Sequence, residues 1–226
     1  MLLTVDPADG VILFAPRTAS LAQVEQLVRK RASWILDAKA EFARIIVPPT
    51  RRYVSGESFI YLGRYYALEV IRRSAPRRVP VLFERGRLVV SLPRELTGVA
   101  QAKHVRSLLV GWFRNRAGIQ ARRRVERFAR EVGVPIPAVL IRDQLKRWGS
   151  CDKKRNIRLN WRIVMAPASV FDYLCAHEVC HLVQPDHSPE FWRTLATIMP
   201  DYENRRERLR VYGPMFDLSP VVEKNG

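Results

Sequence analysis

The sequence predicts a mixed α+β protein, and three observations lead to that fold class. Short runs of β-branched and aromatic residues, separated by glycine and proline, fill much of the first hundred residues. Apolar residues then recur at helical spacing over a long stretch. Of all residues, 47% are hydrophobic, so the chain can bury a core. We expect a β-rich unit with one amphipathic helix over residues 1–98, and a long helix with a second unit over residues 99–226.

The first unit is predicted to begin with a hairpin, with strands from Leu2 to Val5 and from Val11 to Ala15. A helix capped by Ser20 is expected to run to about Arg44, because its apolar residues return at helical spacing. Glycine and proline then separate four short apolar runs, which favours a small antiparallel sheet. These runs are Ser58–Leu62, Arg64–Arg72, Val79–Phe83 and Arg87–Leu92.

The second unit is predicted to open with a long helix over residues 99–132, which Gly133 and Pro135 end. Its apolar stripe predicts a buried face. The opposite face is strongly basic, and we interpret it as solvated, with a nucleic-acid contact as the alternative. That face carries Arg114, Arg116, Arg122, Arg123, Arg124, Arg127 and Arg130.

The rest of the chain is predicted to form two strands and three helices. The strands flank a turn at residues 150–155, and the first helix opens at Pro167. We expect a loosely held tail from Pro214 onward. The expected segments are Val139–Lys146, Asn156–Val164, Pro167–Val183, Pro189–Pro200 and Tyr202–Val211.

Charge and cysteine content restrict the partners and the compartment. With 39 basic and 22 acidic residues the net charge is +17, so the surface attracts polyanions such as nucleic acid. Three cysteines form no disulfide framework, which favours a reducing compartment. We find no signal peptide and no apolar stretch of membrane-spanning length, and we expect a cytoplasmic protein without a membrane partner.

Three of the four histidines lie between residues 176 and 187. His177 and His181 are four residues apart, so on a helix both imidazoles face one metal ion. Glu178 lies about 100° further round the helix, beside the metal, where a general base belongs. Pro185 ends the helix, and the chain can turn back to bring His187 to the metal as a third ligand. Three protein ligands leave one position for water, as in catalytic zinc sites.

The motif therefore predicts a Zn²⁺ site with His177, His181 and His187 as ligands and Glu178 as the general base. The alternative is that these are ordinary histidines on a helix surface. The fourth histidine, His104, lies far from the motif, and we do not expect it at the metal.

Several further motifs stand in register with the His-Glu-x-x-His sequence, and with them the chain resembles the YgjP-like metal-dependent hydrolase family. The resemblance covers nearly the whole chain. The motifs are Arg147–Cys151, Ile157–Trp161, Ala166–Pro167, Asp172–Tyr173, His187–Trp192 and, earlier, Tyr61–Arg64.

The resemblance implies a zincin-type fold, in which the helix with His-Glu-x-x-His packs under a small twisted sheet. It also implies a cytoplasmic metallopeptidase, distantly related to the SprT-like and WLM groups. By similarity the three histidines bind zinc and Glu178 is the general base. Cys180 stands where the family commonly has alanine. We interpret it as a core residue, with an oxidation-sensitive neighbour of the metal as the alternative.

The leading functional hypothesis is metal-assisted hydrolysis of a protein or peptide substrate. One alternative is a nucleic-acid-associated protease, whose basic helix brings the metal site to DNA- or RNA-bound proteins. Another is a non-enzymatic module with structural zinc, although Glu178 argues against it. Ile157–Trp161 is our candidate edge strand for an extended substrate, and an interior strand with Trp161 in the core is the other interpretation. Arg147 and Trp148 either support the site or pack beneath it.

Overall fold

The computed structural model describes residues 1–6, 10–16, 18–33, 35–36, 51–74, 79–144 and 146–218. The chain divides into two compact units, residues 1–47 and residues 48–226. The boundary expected between residues 98 and 99 does not coincide with this division. The reason is that the sheet before it and the long helix after it share one core, in which the rings of Tyr61 and Trp112 lie 5.0 Å apart.

The smaller unit contains the predicted hairpin. Strands β1 (Leu2–Asp6) and β2 (Gly10–Phe14) pair antiparallel. Helix α1 (Leu21–Lys30) begins with a capping box: the Ser20 hydroxyl accepts from the amide N of Gln23, and the Gln23 side chain accepts from the amide N of Ser20. Residues 32, 33, 35 and 36 are also helical, and the end predicted near Arg44 lies outside the described residues.

The larger unit opens with a four-stranded sheet of order β3-β4-β6-β5. All four predicted strands are present, but the purely antiparallel arrangement is wrong, because β4 and β6 run parallel. β6 takes the interior place because Leu88, Val90 and Leu92 are fully buried, whereas β5 buries mainly Val81. The strands are β3 (Ser58–Tyr61), β4 (Arg64–Arg73), β5 (Val81–Glu84) and β6 (Arg87–Pro93).

The turn between β3 and β4 anchors this sheet on the segment that leads to the histidine motif. Gly63 has a φ of 76°, and a Cβ there would lie 2.8 Å from Cα of Pro167. Its amide N donates to the carbonyl of Met165 at 3.0 Å. Only glycine satisfies both the backbone angle and the close approach.

The long helix, α2 (Gly98–Val132), lies where the sequence predicts it and ends at Gly133 in the left-handed conformation. Its buried face includes Val105, Leu109, Phe113 and Val125. Within the described part of the chain, no helix is both long and apolar enough to cross a membrane.

A second sheet, of order β7-β9-β8, follows the long helix. The sequence predicts β7 (Val139–Arg142) and β9 (Ile157–Asn160) but not the three-residue β8 (Gly149–Cys151). Because β8 pairs with the outer side of β9, the prediction that residues 157–161 form an edge strand is wrong. The interior interpretation is confirmed, and Trp161, which starts a short 3-10 turn, is only 1% exposed.

Three helices complete the unit: α3 (Ala168–Cys180), α4 (Pro189–Ile198) and α5 (Tyr202–Tyr212). α3 packs against α2 and β8, so the mixed α+β fold and the helix under a small sheet are confirmed. The expected loose tail is wrong for residues 214–218. Phe216 and Leu218 are buried, and the carboxylate of Asp217 pairs with Arg162 at 2.7 Å.

Candidate metal centre

The end of α3 brings the three clustered histidines together. His177 lies in the last turn of the helix and His181 is its C-cap, so the helix ends three residues before the predicted Val183. The amide N of Gln184 then donates to the carbonyl of Cys180 at 2.9 Å and tightens the turn. After this turn the chain reverses, and Nε2 of His187 lies 3.1 Å from Nε2 of His177.

The spacing of the ligand atoms fits a metal ion. One ring nitrogen from each of His177, His181 and His187 lies within 4.8 Å of the others. A tetrahedral zinc bound at 2.0–2.1 Å holds its ligand nitrogens roughly 3.3 Å apart, close to the His177–His187 separation. The separation of 3.1 Å is therefore compatible with two nitrogens that bind the same cation. His104 lies exposed on α2 and is not part of this group.

The protonation of the histidines favours metal binding. Burial, followed by the neighbouring His181 and His187, lowers the pKa of His177 to about 3. Burial also lowers the pKa of His181. Both imidazoles are therefore neutral at physiological pH, and their lone pairs are available to a metal without displacement of a proton.

Neighbouring groups orient the rings. Nδ1 of His181 lies 3.1 Å from the carbonyl oxygen of Gln184, which leaves Nε2 for the metal. Nε1 of Trp192 donates to the carbonyl of His187 at 3.1 Å, and the two rings stack 5.5 Å apart. Nδ1 of His177 finds no hydrogen-bond partner among the described residues. The packing of Phe191, whose ring centroid lies 4.9 Å away, holds the His177 ring instead.

Glu178 is a buried carboxylate next to the three histidines. It is 4% exposed, and its Oε2 has no hydrogen-bond partner in the described part of the chain. Burial raises its pKa to about 8, and Arg147 opposes that shift. Its side chain packs on Gly149 of β8, where a Cβ would lie 2.7 Å from Cδ of Glu178. A desolvated, unpaired carboxylate beside a cluster of metal-binding groups is typical of a catalytic acid–base residue.

The sequence did not assign a role to Gly149, although it lies in the motif that carries the family resemblance. The contact with Glu178 explains why a residue without a side chain stands there. Trp148 packs against Gly213, where a Cβ would lie 2.8 Å from the indole ring. Of the two interpretations for Trp148, packing is therefore the one its contacts favour. Arg147 supports the site instead, because its positive charge lowers the pKa of Glu178.

Cys180 behaves as a core residue. Its side chain is fully buried, and burial raises the thiol pKa to about 12. The thiol therefore stays protonated, which does not favour the interpretation as an oxidation-sensitive neighbour of the metal.

The basic face of α2 is partly neutralised by acidic side chains. Arg114 pairs with Asp143 at 2.6 Å, and Arg124 pairs with Asp172 at 2.8 Å. Arg127 and Arg130 also have carboxylate partners. Four of the seven arginines are thus in ion pairs, as expected of a solvated helix face.

No curated protein shows a significant sequence match. A solved structure, the metallopeptidase zymogen of Pyrococcus abyssi abylysin, matches 39% of this chain and 90% of its own, with 22% identity and a TM-score of 0.38. The family model described as YgjP-like, metallopeptidase domain, matches residues 1–212. The chain therefore belongs to the YgjP-like metallopeptidase family and is a metal-dependent peptidase.

Proposed function

We propose that the chain is a zinc peptidase in which His177, His181 and His187 hold the metal and Glu178 is the general base. The observation that carries this proposal is the buried, unpaired carboxylate of Glu178 beside converging neutral imidazoles. Imidazole nitrogens suit Zn²⁺ well. When bound, zinc would supply Lewis acidity, activating a water molecule and polarising the scissile carbonyl.

Glu178 performs the proton transfers in this proposal. Its unpaired Oε2 takes a proton from the attacking water and returns it to the nitrogen of the leaving amine. Burial strengthens the carboxylate as a base, and a bound zinc ion would favour its ionised form near neutral pH. The contact with Gly149 sets the position of the carboxylate relative to the imidazoles.

Strand β8 is the surface on which we place the substrate backbone. One side of β8 pairs with β9, and its other side has no strand partner in the described part of the sheet. With the three histidines, β8 lines a cavity of about 690 Å³. An extended peptide can add to such an edge through main-chain hydrogen bonds. Asp152 stiffens the hairpin that presents this edge, since its Oδ1 accepts from the amide N of Lys154 and of Asn156, both at 2.9 Å.

Metal analysis and a protease assay test the proposal together. Protein purified without added metal is expected to contain about one zinc per chain and to cleave an unfolded protein such as reduced casein. Removal of the metal with a chelator should abolish cleavage, and equimolar zinc should restore it. Cleavage that persists in the chelated, metal-free protein would contradict the proposal.

The substitution Gly149→Ala tests the position of Glu178. The new methyl group displaces the carboxylate, so we expect kcat to fall about tenfold or more and the free energy of unfolding to fall by about 1–3 kcal/mol. Zinc content should stay unchanged. Gly111→Ala on α2 is the matched control, because a Cβ there meets nothing within 4 Å. Equal activity in both variants would show that the contact does not position the base.

The nucleic-acid-associated alternative stays a prediction, and the ion-paired arginines of α2 do not favour it. Stimulation of proteolysis by duplex DNA at physiological salt is the result that would support it. A non-enzymatic module does not agree with the family. The cytoplasmic location also stays a prediction, which rests on the composition and is in keeping with three unpaired cysteines.

A further inference from the structure

Two cavities of about 690 Å³ meet at His177 and Glu178, and they differ in charge. The cavity along β8 is lined by equal numbers of basic and acidic side chains, Lys153 and Arg155 with Asp152 and Glu178. The second, which we call the cationic cavity, is lined by five basic and two acidic side chains. These are Lys146, Arg147, Arg162, Arg206 and Arg210, with Glu178 and Asp217.

We propose that the cationic cavity binds a carboxylate of the substrate close to the scissile bond, so that the enzyme prefers acidic peptides. This inference rests on the proposed peptidase function, since the cavity is filled by the same peptide that reaches Glu178. The carboxylate belongs either to an Asp or Glu side chain or to the C-terminus of the peptide, and the experiment separates the two.

Three of the five cations are available to a ligand. Arg162 is held by Asp143 and by Asp217 at 2.7 Å, and Arg210 by Glu207 at 2.6 Å. For Lys146, Arg147 and Arg206, no carboxylate lies within ion-pair distance in the described ranges. A cleft with an excess of one charge attracts ligands of the opposite charge and holds them where water is partly excluded.

Arg206 is held at the rim by aromatic packing. Its guanidinium carbon lies 5.1 Å from the ring centroid of Trp192, which in turn stacks on Tyr202 at 5.3 Å. Trp192 also donates to the carbonyl of His187 and so connects Arg206 to the metal centre. The position of the guanidinium is thus set before a ligand arrives, and its planar group can donate two hydrogen bonds to one carboxylate.

Tyr173 supplies a neutral donor in the same cavity. It lies four residues before His177 on α3, and the two rings are 5.8 Å apart. Its hydroxyl can donate a hydrogen bond to an anion that enters the cavity. Cations and a hydroxyl donor around an opening beside the scissile position form a site for a carboxylate, not for a basic or apolar side chain.

Matched fluorogenic peptides provide the test. One series carries Glu or Gln at a single position on either side of the cleaved bond, and a second carries a free or an amidated C-terminus. We expect kcat/KM to be about 10- to 100-fold higher for the acidic member of one pair, mainly through KM. The series that shows the difference identifies the source of the carboxylate.

Charge variants link the preference to the cavity. Arg206→Gln and Lys146→Gln should each reduce the ratio of kcat/KM between the acidic and the neutral peptide at least severalfold, whereas Arg206→Lys should keep most of that ratio. Arg123→Gln removes the same charge on α2, outside the cationic cavity, and should leave the ratio between the acidic and the neutral peptide unchanged. If neutral and acidic peptides are cleaved equally by the wild type, this inference is wrong while the peptidase function stands. If no peptide is cleaved by the zinc-loaded protein, the proposed function itself fails.

Discussion

Replacement of Glu178 by glutamine is expected to lower kcat by about 10²- to 10⁴-fold without loss of zinc. Glutamine has nearly the same shape and still fits against Gly149, but its amide cannot take a proton from water. Casein cleavage and elemental analysis of the same preparation measure the two effects. Glu190→Gln, on the exposed start of α4, is the control and should keep full activity. Activity close to that of the wild type in Glu178→Gln would place the general base elsewhere.

The same substitution should stabilise the metal-free protein. The pKa of Glu178 is about 8, above its ordinary value of 4.5, so between these pH values the native state binds a proton that the unfolded state has lost. The free energy of unfolding of the metal-free wild type therefore decreases as the pH rises from about 4.5 to about 8. Glutamine removes this decrease.

We expect the metal-free variant to exceed the wild type by roughly 1–4 kcal/mol at pH 8, and by much less at pH 5. Urea denaturation of both proteins at the two pH values measures the difference. An equal pH dependence in the two proteins would mean that the carboxylate is not desolvated as the structure indicates.

The substitution His181→Ala is expected to abolish zinc binding at micromolar metal. Three ligands are the usual minimum for a catalytic zinc, and the loss of one leaves two imidazoles, of which His187 lies on an exposed loop. Zinc should stabilise the wild type by about 4 kcal/mol when its free concentration is a thousand times Kd, and it should not stabilise the variant.

Thermal unfolding with and without added zinc measures this effect, and His104→Ala serves as the control because His104 lies apart on α2. The control should take up zinc and gain stability as the wild type does. Stoichiometric zinc in His181→Ala would show that the three histidines do not form the metal site.

Features that depend on near neighbours in the chain were predictable from the sequence. The length of α2 follows from its apolar period and from Gly133, and the structure confirms both ends within one residue. The convergence of His177, His181 and His187 follows from helical spacing and from Pro185, and the structure brings these residues together.

Contacts between distant segments were not predictable. Strand β8 has only three residues, too few for a periodic signal, and its place beside β9 depends on which strand buries more apolar surface. The burial of apolar surface also placed β6 beside β4, and this pairing made part of the first sheet parallel.

The sequence by itself determined the type of fold, the helices and the grouping of the three histidines, because helical period, capping and motif spacing act within a few residues. Only the tertiary structure decided what surrounds Glu178. It placed Gly149 against the carboxylate and brought Lys146 and Arg147 to one cavity with Arg206, some sixty residues further on. The reason is physical. Burial, strand pairing and the local electric field depend on all segments that pack at one point, so a short stretch of sequence does not predict them.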